Sequence, residues 1–128
     1  MNNATRVTDY LWHLVICCNR LAKLHNEVSH QEFLDDYRVH ELALRILEIL
    51  GETTKRIEII DPEYFETHGI GIVRNLIGLR NRIAHQYDGV DLELIWEVVE
   101  SDAPALRKVV VSLLLQLRPD ADLDALHF

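Results

Sequence analysis

The 128-residue sequence is poor in chain breakers: it holds five glycines and three prolines. No long stretch alternates polar and apolar residues with period two, so nothing in it reads as a set of strands and turns. Cysteine is nearly absent. The only two, Cys17 and Cys18, are adjacent, a geometry ill-suited to a structural disulfide. They read as reduced thiols on a helix, which points to a cytoplasmic protein. No apolar run reaches the roughly 18 residues needed to cross a bilayer, so no membrane association is expected. The opening Met-Asn-Asn-Ala-Thr-Arg lacks the basic start and apolar middle of a signal peptide. Bases are scarce too: 13 Lys+Arg stand against 21 Asp+Glu, a formal net charge of −8. That excludes a broad basic face of the kind that coats DNA without regard to sequence, though not a narrow nucleic-acid cleft. What remains is 48% hydrophobic and 27% charged, the composition of a soluble single domain large enough to bury its own core over residues 1–128.

One window departs from this acidity. Thr67 to Tyr87 contains no Asp or Glu and carries Arg74, Arg80 and Arg82, whereas the other 107 residues hold all 21 acids and 10 of the 13 bases. Local positive charge inside so acidic a chain suggests an anion site. The window ends in Arg80-Asn81-Arg82-Ile83-Ala84-His85-Gln86-Tyr87, which gathers guanidinium, carboxamide, imidazole and phenol groups suited to phosphodiester chemistry.

The periodicity predicts helices throughout, packed as an antiparallel all-α bundle of four or five. The first is expected from Thr8, as N-cap, to about Val28, with Leu11, Leu14, Val15, Cys18, Leu21, Ala22 and Val28 as its apolar stripe. Ser29 and Glu32 form a capping-box pattern. It opens a second long helix with Leu42, Ile46, Ile49, Leu50 and Ile57 on one side and Gly51 tolerated inside it. Asp61-Pro62 ends that helix, and 59–69 are expected as a loop. A third helix is expected over Gly71–Tyr87, stopped at Asp88-Gly89. Asp91 caps a fourth with Leu92, Ile95, Trp96, Val98 and Val99. Pro104 either kinks it or begins another. Leu106, Val109, Val110, Leu113, Leu114 and Leu117 then form the cleanest amphipathic stripe in the chain. Arg118-Pro119 ends it, and the acidic tail 119–128 is expected to be partly loose.

On the expected third helix, Ile72, Leu76, Leu79 and Ile83 share one face. Arg74, Gly78, Asn81 and His85 have the same spacing two residues on, which puts them on the opposite side. Arg80 lies about 140° from His85 around the axis, within reach of a long side chain whose stem lies along the helix. Gly78 costs roughly 1 kcal/mol against alanine and leaves that polar face bare. This suggests docking against its copy in a second subunit, so that a twofold axis brings two sets of Arg80, Asn81 and His85 into one cleft.

Histidine is suited to proton transfer near neutral pH. RNA carries its own nucleophile, the 2′-hydroxyl. Removing that proton lets the oxygen attack the adjacent phosphorus, and arginine can stabilise the charge that builds on the phosphoryl oxygens. No metal or other cofactor is required. Asn81 could orient His85 or bind a phosphate oxygen, with Arg74 and Arg82 in support. The remaining histidines, His13, His25, His30, His40, His68 and His127, read as surface or capping residues. Neither they nor the cysteines have a convincing zinc spacing.

The string Arg80-x-x-x-x-His85-x-Tyr87 resembles the signature of HEPN-domain proteins of the HepT type. Further landmarks lie in that family's order: Phe33-Leu34 with Asp35-Asp36, Ile49-Leu50-Gly51-Glu52, Ile77-Gly78-Leu79-Arg80-Asn81, and Val90-Asp91 followed by Ile95-Trp96. Relatives often carry a Pro and a Trp shortly before the third helix, where this chain has Thr67-His68-Gly69-Ile70-Gly71. The resemblance, over most of residues 5–118, implies a homodimeric helical bundle. Its Arg80 and His85 would form a metal-independent endoribonuclease site at the dimer interface, cutting RNA to leave cyclic phosphate ends. It implies further that the chain is the toxin of a type VII toxin–antitoxin module. Its antitoxin would be a minimal nucleotidyltransferase, MntA, which transfers AMP from ATP to the motif tyrosine, by position Tyr87. Phosphate added there would place negative charge in the cleft and repel RNA. The alternative is a non-catalytic helical binding module that is only the partner and substrate of such a nucleotidyltransferase. A plain helical dimer leaves the acid-free window without a role. Gel filtration at micromolar concentration is expected to give a dimer; a strict monomer contradicts the twofold cleft.

Overall fold

The computed structural model describes residues 3–68, 70 and 91–128, which contain helices and no strand. Helix α1 runs Asn3–Glu27, α2 His30–Asp35, α3 Tyr37–Ile60, α4 Pro62–Thr67, α5 Leu92–Glu97 and α6 Ala103–Leu117. A single π turn, Val98–Asp102, joins α5 to α6. The all-α bundle expected from the sequence is what forms.

Helix α1 is its axis. It packs against α3, α6 and the π turn. Leu14, Val15, Ile16, Cys17 and Cys18 are five consecutive buried residues. A helix turns through roughly 100° per residue, so such a run is covered on every side. Leu11, Leu21, Leu50, Ile57, Leu106, Val110 and Leu114 complete one continuous core with Phe33, Phe65 and Ile95. The buried threonines return their hydroxyls to the preceding turn: Thr8 Oγ1 donates to the Ala4 carbonyl at 2.8 Å, Thr53 to Ile49 at 2.7 Å and Thr54 to Leu50 at 2.9 Å. No polar group among them is stranded in the core.

Several local expectations hold. The capping box forms as read, with Ser29 Oγ accepting from Glu32 N–H and Glu32 Oε1 accepting from Ser29 N–H. Gly51 lies buried inside α3, and Asp91 caps α5 by accepting from Leu94 N–H at 3.2 Å.

Others are corrected. Thr8 is no cap, because α1 begins five residues earlier and its hydroxyl is occupied within the helix. The long second helix is two. Asp36 takes an extended conformation (φ −100°, ψ 106°), ends α2, and starts α3 by accepting from Arg38 N–H. The expected 59–69 loop contains α4, because Asp61 caps it at Tyr64 N–H and Pro62 suits its first turn. Leu42 is half exposed; at 100° per residue it stands roughly 80° from Leu50 and flanks the buried stripe instead of joining it. Ala22, expected in the apolar stripe of α1, is exposed. Pro104 begins a new helix, one of the two expected outcomes, and stands in the first turn of α6. It has no N–H to bond Glu100, and the preceding turn widens, with Ala103 N–H reaching Val98 carbonyl five residues back.

The largest correction is the tail. It is a strap laid across the outer face of α1. Trp12 Nε1 donates to the Asp122 carbonyl at 3.2 Å, and Asn19 Nδ2 to those of Leu123 (2.8 Å) and Ala125 (2.9 Å). Arg20 Nε donates to Leu126 at 2.6 Å and Arg107 Nη2 to Leu123 at 2.8 Å. Arg107 Nε also donates to Asn19 Oδ1 at 2.7 Å, which ties the two helices at that point. Phe128 lies under the Arg20 guanidinium and against the His13 ring. Ile16 sits on the same face of α1 as Trp12, Asn19 and Arg20, one turn from each, and is fully buried.

Burial sets the thiol chemistry. It pushes Cys17 up to about 11 despite Arg20, and Cys18, which also has Cys17 beside it, to about 12 despite Arg107. A thiol raised above its ordinary value near 9 favours folding fully below that value. The contribution is lost as pH rises through 9 toward 11 and 12. Both thiols are therefore expected to resist a thiolate-directed reagent at pH 7 in the native protein and to react at once in denaturant; full native reactivity contradicts the burial.

Candidate functional site

All the residues singled out for phosphodiester chemistry, Arg74, Arg80, Asn81, Arg82, His85 and Tyr87, lie outside the described residues. So do the expected third helix, Gly78 and the Asp88-Gly89 stop. What the structure supplies is the frame on either side of that segment.

On the approach, Asp61 and Pro62 set α4, and Phe65 is buried in the core. The helix ends at His68, whose N–H donates to the Tyr64 carbonyl at 3.1 Å and whose ring stacks on Tyr64 with centroids 4.2 Å apart. Burial, helped by Asp61, holds the Tyr64 phenol above its ordinary value. Ile70 is then fully buried in the main core. On the far side, Asp91 caps α5, and Ile95, one turn on, is buried in the same core. The chain therefore enters and leaves the acid-free window through two apolar anchors in one core.

Helix α5 is held by a cluster that the sequence did not reveal. Trp96 packs against Phe33 (centroids 5.1 Å apart), His25 (4.8 Å) and His30 (5.3 Å), the two imidazoles stacked on the indole. His25 Nε2 stands 3.2 Å from Glu100 Oε2, and His30 Nε2 2.7 Å from Glu93 Oε2. The ends of α1 and α2 are thus tied to the helix that follows the window. The pairing joins residues more than 60 positions apart, which no local pattern signals. His40, His68 and His13 make contacts of their own, and His127 is exposed. His40 Nδ1 meets the Phe33 carbonyl at 2.9 Å, His68 Nδ1 the Tyr64 carbonyl at 3.1 Å, and His13 the Phe128 ring. His13 is held below the ordinary histidine value, first by burial and then by Arg56, against the opposing pull of Asp9. Among the described residues no three His, Cys, Asp or Glu side chains come together to hold a metal ion. None of the described helices is long and apolar enough to cross a membrane.

With this frame in place, comparison with known proteins is decisive for the family. The model of the ribonuclease HepT-like family matches residues 14–113, from the centre of α1 to the core residue Leu113. The chain belongs to the ribonuclease HepT-like family. It is 30% identical over 105 residues to a protein of Caldanaerobacter subterraneus subsp. tengcongensis provisionally named an RNase, across 82% of this chain and 91% of that one. A Methanocaldococcus jannaschii protein, also provisionally named an RNase, is 27% identical over 104 residues, 81% of this chain and 93% of its own. A probable ribonuclease HepT of Thermococcus cleftensis is 28% identical over 99 residues, 77% and 87% of the two chains. No solved structure matches. The HepT-type resemblance drawn from Arg80, His85, Tyr87 and their flanking landmarks is therefore correct at the level of the family, and the class of activity is that of a ribonuclease.

The cap at Asp91 fixes where the chain leaves the window and returns to the core. Asp91→Ala is expected to lower stability by about 1 kcal/mol, and Asp91→Asn to restore most of it. Equal urea midpoints for all three chains contradict the capping role.

Proposed function

We propose that this protein is a metal-independent endoribonuclease toxin of a type VII toxin–antitoxin module. In this reading Arg80 and His85 carry the chemistry, Asn81, Arg74 and Arg82 hold the RNA, and Tyr87 is the site at which a minimal nucleotidyltransferase antitoxin of the MntA kind adds AMP. The observation that carries it is the family match, whose span from residue 14 to 113 contains the whole Arg80–Tyr87 string. The acid-free window supports it independently, since positive charge attracts a phosphodiester strand and uncompensated carboxylates repel it.

The chemistry follows from the groups. One His85 takes the 2′-hydroxyl proton as that oxygen attacks the neighbouring phosphorus. The bond to the 5′-oxygen breaks, a second His85 across a twofold axis returns a proton to it, and a 2′,3′-cyclic phosphate remains. General acid–base work of this kind contributes about 10² to 10⁴ in rate. The Arg80 guanidinium stabilises the charge that develops on the phosphoryl oxygens, a pairing whose strength comes from charge-assisted, geometrically matched hydrogen bonds. AMP on Tyr87, two residues from His85, would add phosphate charge to the cleft and oppose RNA binding.

His85→Ala and Arg80→Ala are each expected to abolish cleavage of RNA in vitro and toxicity in cells, with circular dichroism unchanged, while chelation leaves the unsubstituted protein active. Cleavage that survives the double substitution, or stops with a chelator, contradicts the mechanism. RNA left intact by the unmodified protein under all conditions favours the binding-module alternative.

A further inference from the structure

The strap is bound to its own bundle in the way a ligand is bound. Among the described residues, the side-chain donors that hold it belong to α1 and α6, namely Trp12, Asn19, Arg20 and Arg107, and they meet main-chain carbonyls of Asp122, Leu123, Ala125 and Leu126. Such bonds fix the register of an extended chain while asking little of its side chains. Within the strap itself, Ala121 N–H bonds the Arg118 carbonyl and Asp124 N–H the Asp122 carboxylate; it forms no helix or strand of its own.

Two further features mark it as detachable. None of residues 119–128 is fully buried; Ala121, Leu123, Ala125 and Leu126 are half-buried and the rest exposed. It is rooted at a natural hinge. Helix α6 ends at Arg118 in an extended conformation (φ −143°, ψ 85°), followed by Pro119, with the Arg118 guanidinium paired to Asp9 at 3.0 Å. Charge complements the fit, since the strap carries Asp120, Asp122 and Asp124 and its cradle is built on Arg20 and Arg107. The family match ends at residue 113, before the strap begins.

We propose that the face of α1 and α6 bearing Trp12, Asn19, Arg20 and Arg107 is a peptide-binding cradle, and that the strap of a second copy of this chain can occupy it in place of the resident one. Exchange about a short hinge re-forms the same contacts between copies and adds no new ones, which is the condition under which segment swapping is cheap. Ile16, one turn from Trp12, Asn19 and Arg20 on the same face of α1, sets an apolar residue among the cradle's donors.

The probe is a fluorescently labelled peptide of residues 119–128, titrated by anisotropy into the full-length chain. In a full-length Leu123→Asp, Leu126→Asp variant the resident strap is weakened while the cradle is intact. This variant is expected to bind the peptide saturably at one per chain, and the unsubstituted chain roughly tenfold more weakly or worse, because its own strap competes at high effective concentration. Adding Asn19→Ala and Arg107→Ala to the opened variant is expected to remove the binding. No binding to the opened variant overturns the proposal, and so does binding that persists without Asn19 and Arg107. Should the opened variant fail to fold, excess unlabelled peptide on the unsubstituted chain must accelerate deuterium uptake at residues 121–126; unchanged uptake at millimolar peptide overturns it equally.

Discussion

The burial of the central turn of α1, Leu14–Cys18, on every side is the constraint from which the rest follows. A helix with one apolar face can lie on the surface of a bundle, but Leu14 to Cys18 are covered on every side. That requires partners in at least three directions. Helices α3 and α6 supply two, and the strap, bonded to Trp12, Asn19 and Arg20 of α1, supplies a third. The same requirement explains why a chain end rich in aspartate is ordered: it covers apolar surface that the helices leave open, while side chains of α1 and α6 satisfy its carbonyls. The two buried cysteines belong to this arrangement. Their thiols are held protonated by the core around them and act as small apolar side chains.

Both anchors of the acid-free window rest on that core. Ile70 enters it on one side and Ile95 on the other, with Tyr64 and His68 stacked at the approach and Trp96 held by His25, His30 and Phe33 at the exit. A stretch of sequence with three arginines and no acid is thereby flanked on both sides by residues buried in one core. This is the arrangement a binding segment needs, since residues that grip a substrate must be positioned by elements that do not themselves give way. It is consistent with membership of a ribonuclease family and with the proposed placement of the chemistry on Arg80 and His85.

Much of this was legible in the sequence because its causes are local. A serine three residues before a glutamate, an aspartate just ahead of an apolar run and the i, i+3, i+4 stripe from Leu106 to Leu114 each specify their structure through neighbours within a turn or two. The failures also have physical reasons. Asp36 breaks a helix by capping two ends at once, a competition that periodicity cannot register. Leu42 sits near the right spacing but at the edge of the buried arc. Pro104 was legible as a helix start, but the π turn that precedes it was not, because periodicity does not register a single widened turn. The strap and the His25–Trp96–His30 cluster depend on contacts between residues roughly 60 to 110 positions apart, and no local pattern encodes them. The family was legible as composition and motif, in the missing acids and the Arg80–His85–Tyr87 spacing. The proposed twofold cleft was drawn from the polar stripe bared at Gly78, and the residues that would form it lie outside the described ones.

The proposed chemistry has one indispensable participant that is not protein at all, the substrate's own 2′-hydroxyl. The most direct measurement uses two oligonucleotides that differ only in a single 2′-deoxyribose at the nucleotide whose sugar precedes the cut. The account predicts that the all-ribose strand is cleaved to a product ending in a 2′,3′-cyclic phosphate and that the substituted strand is left whole at that position. Cleavage of the deoxy-substituted strand at the same bond would mean that water or another nucleophile attacks, and would contradict the roles proposed for Arg80 and His85.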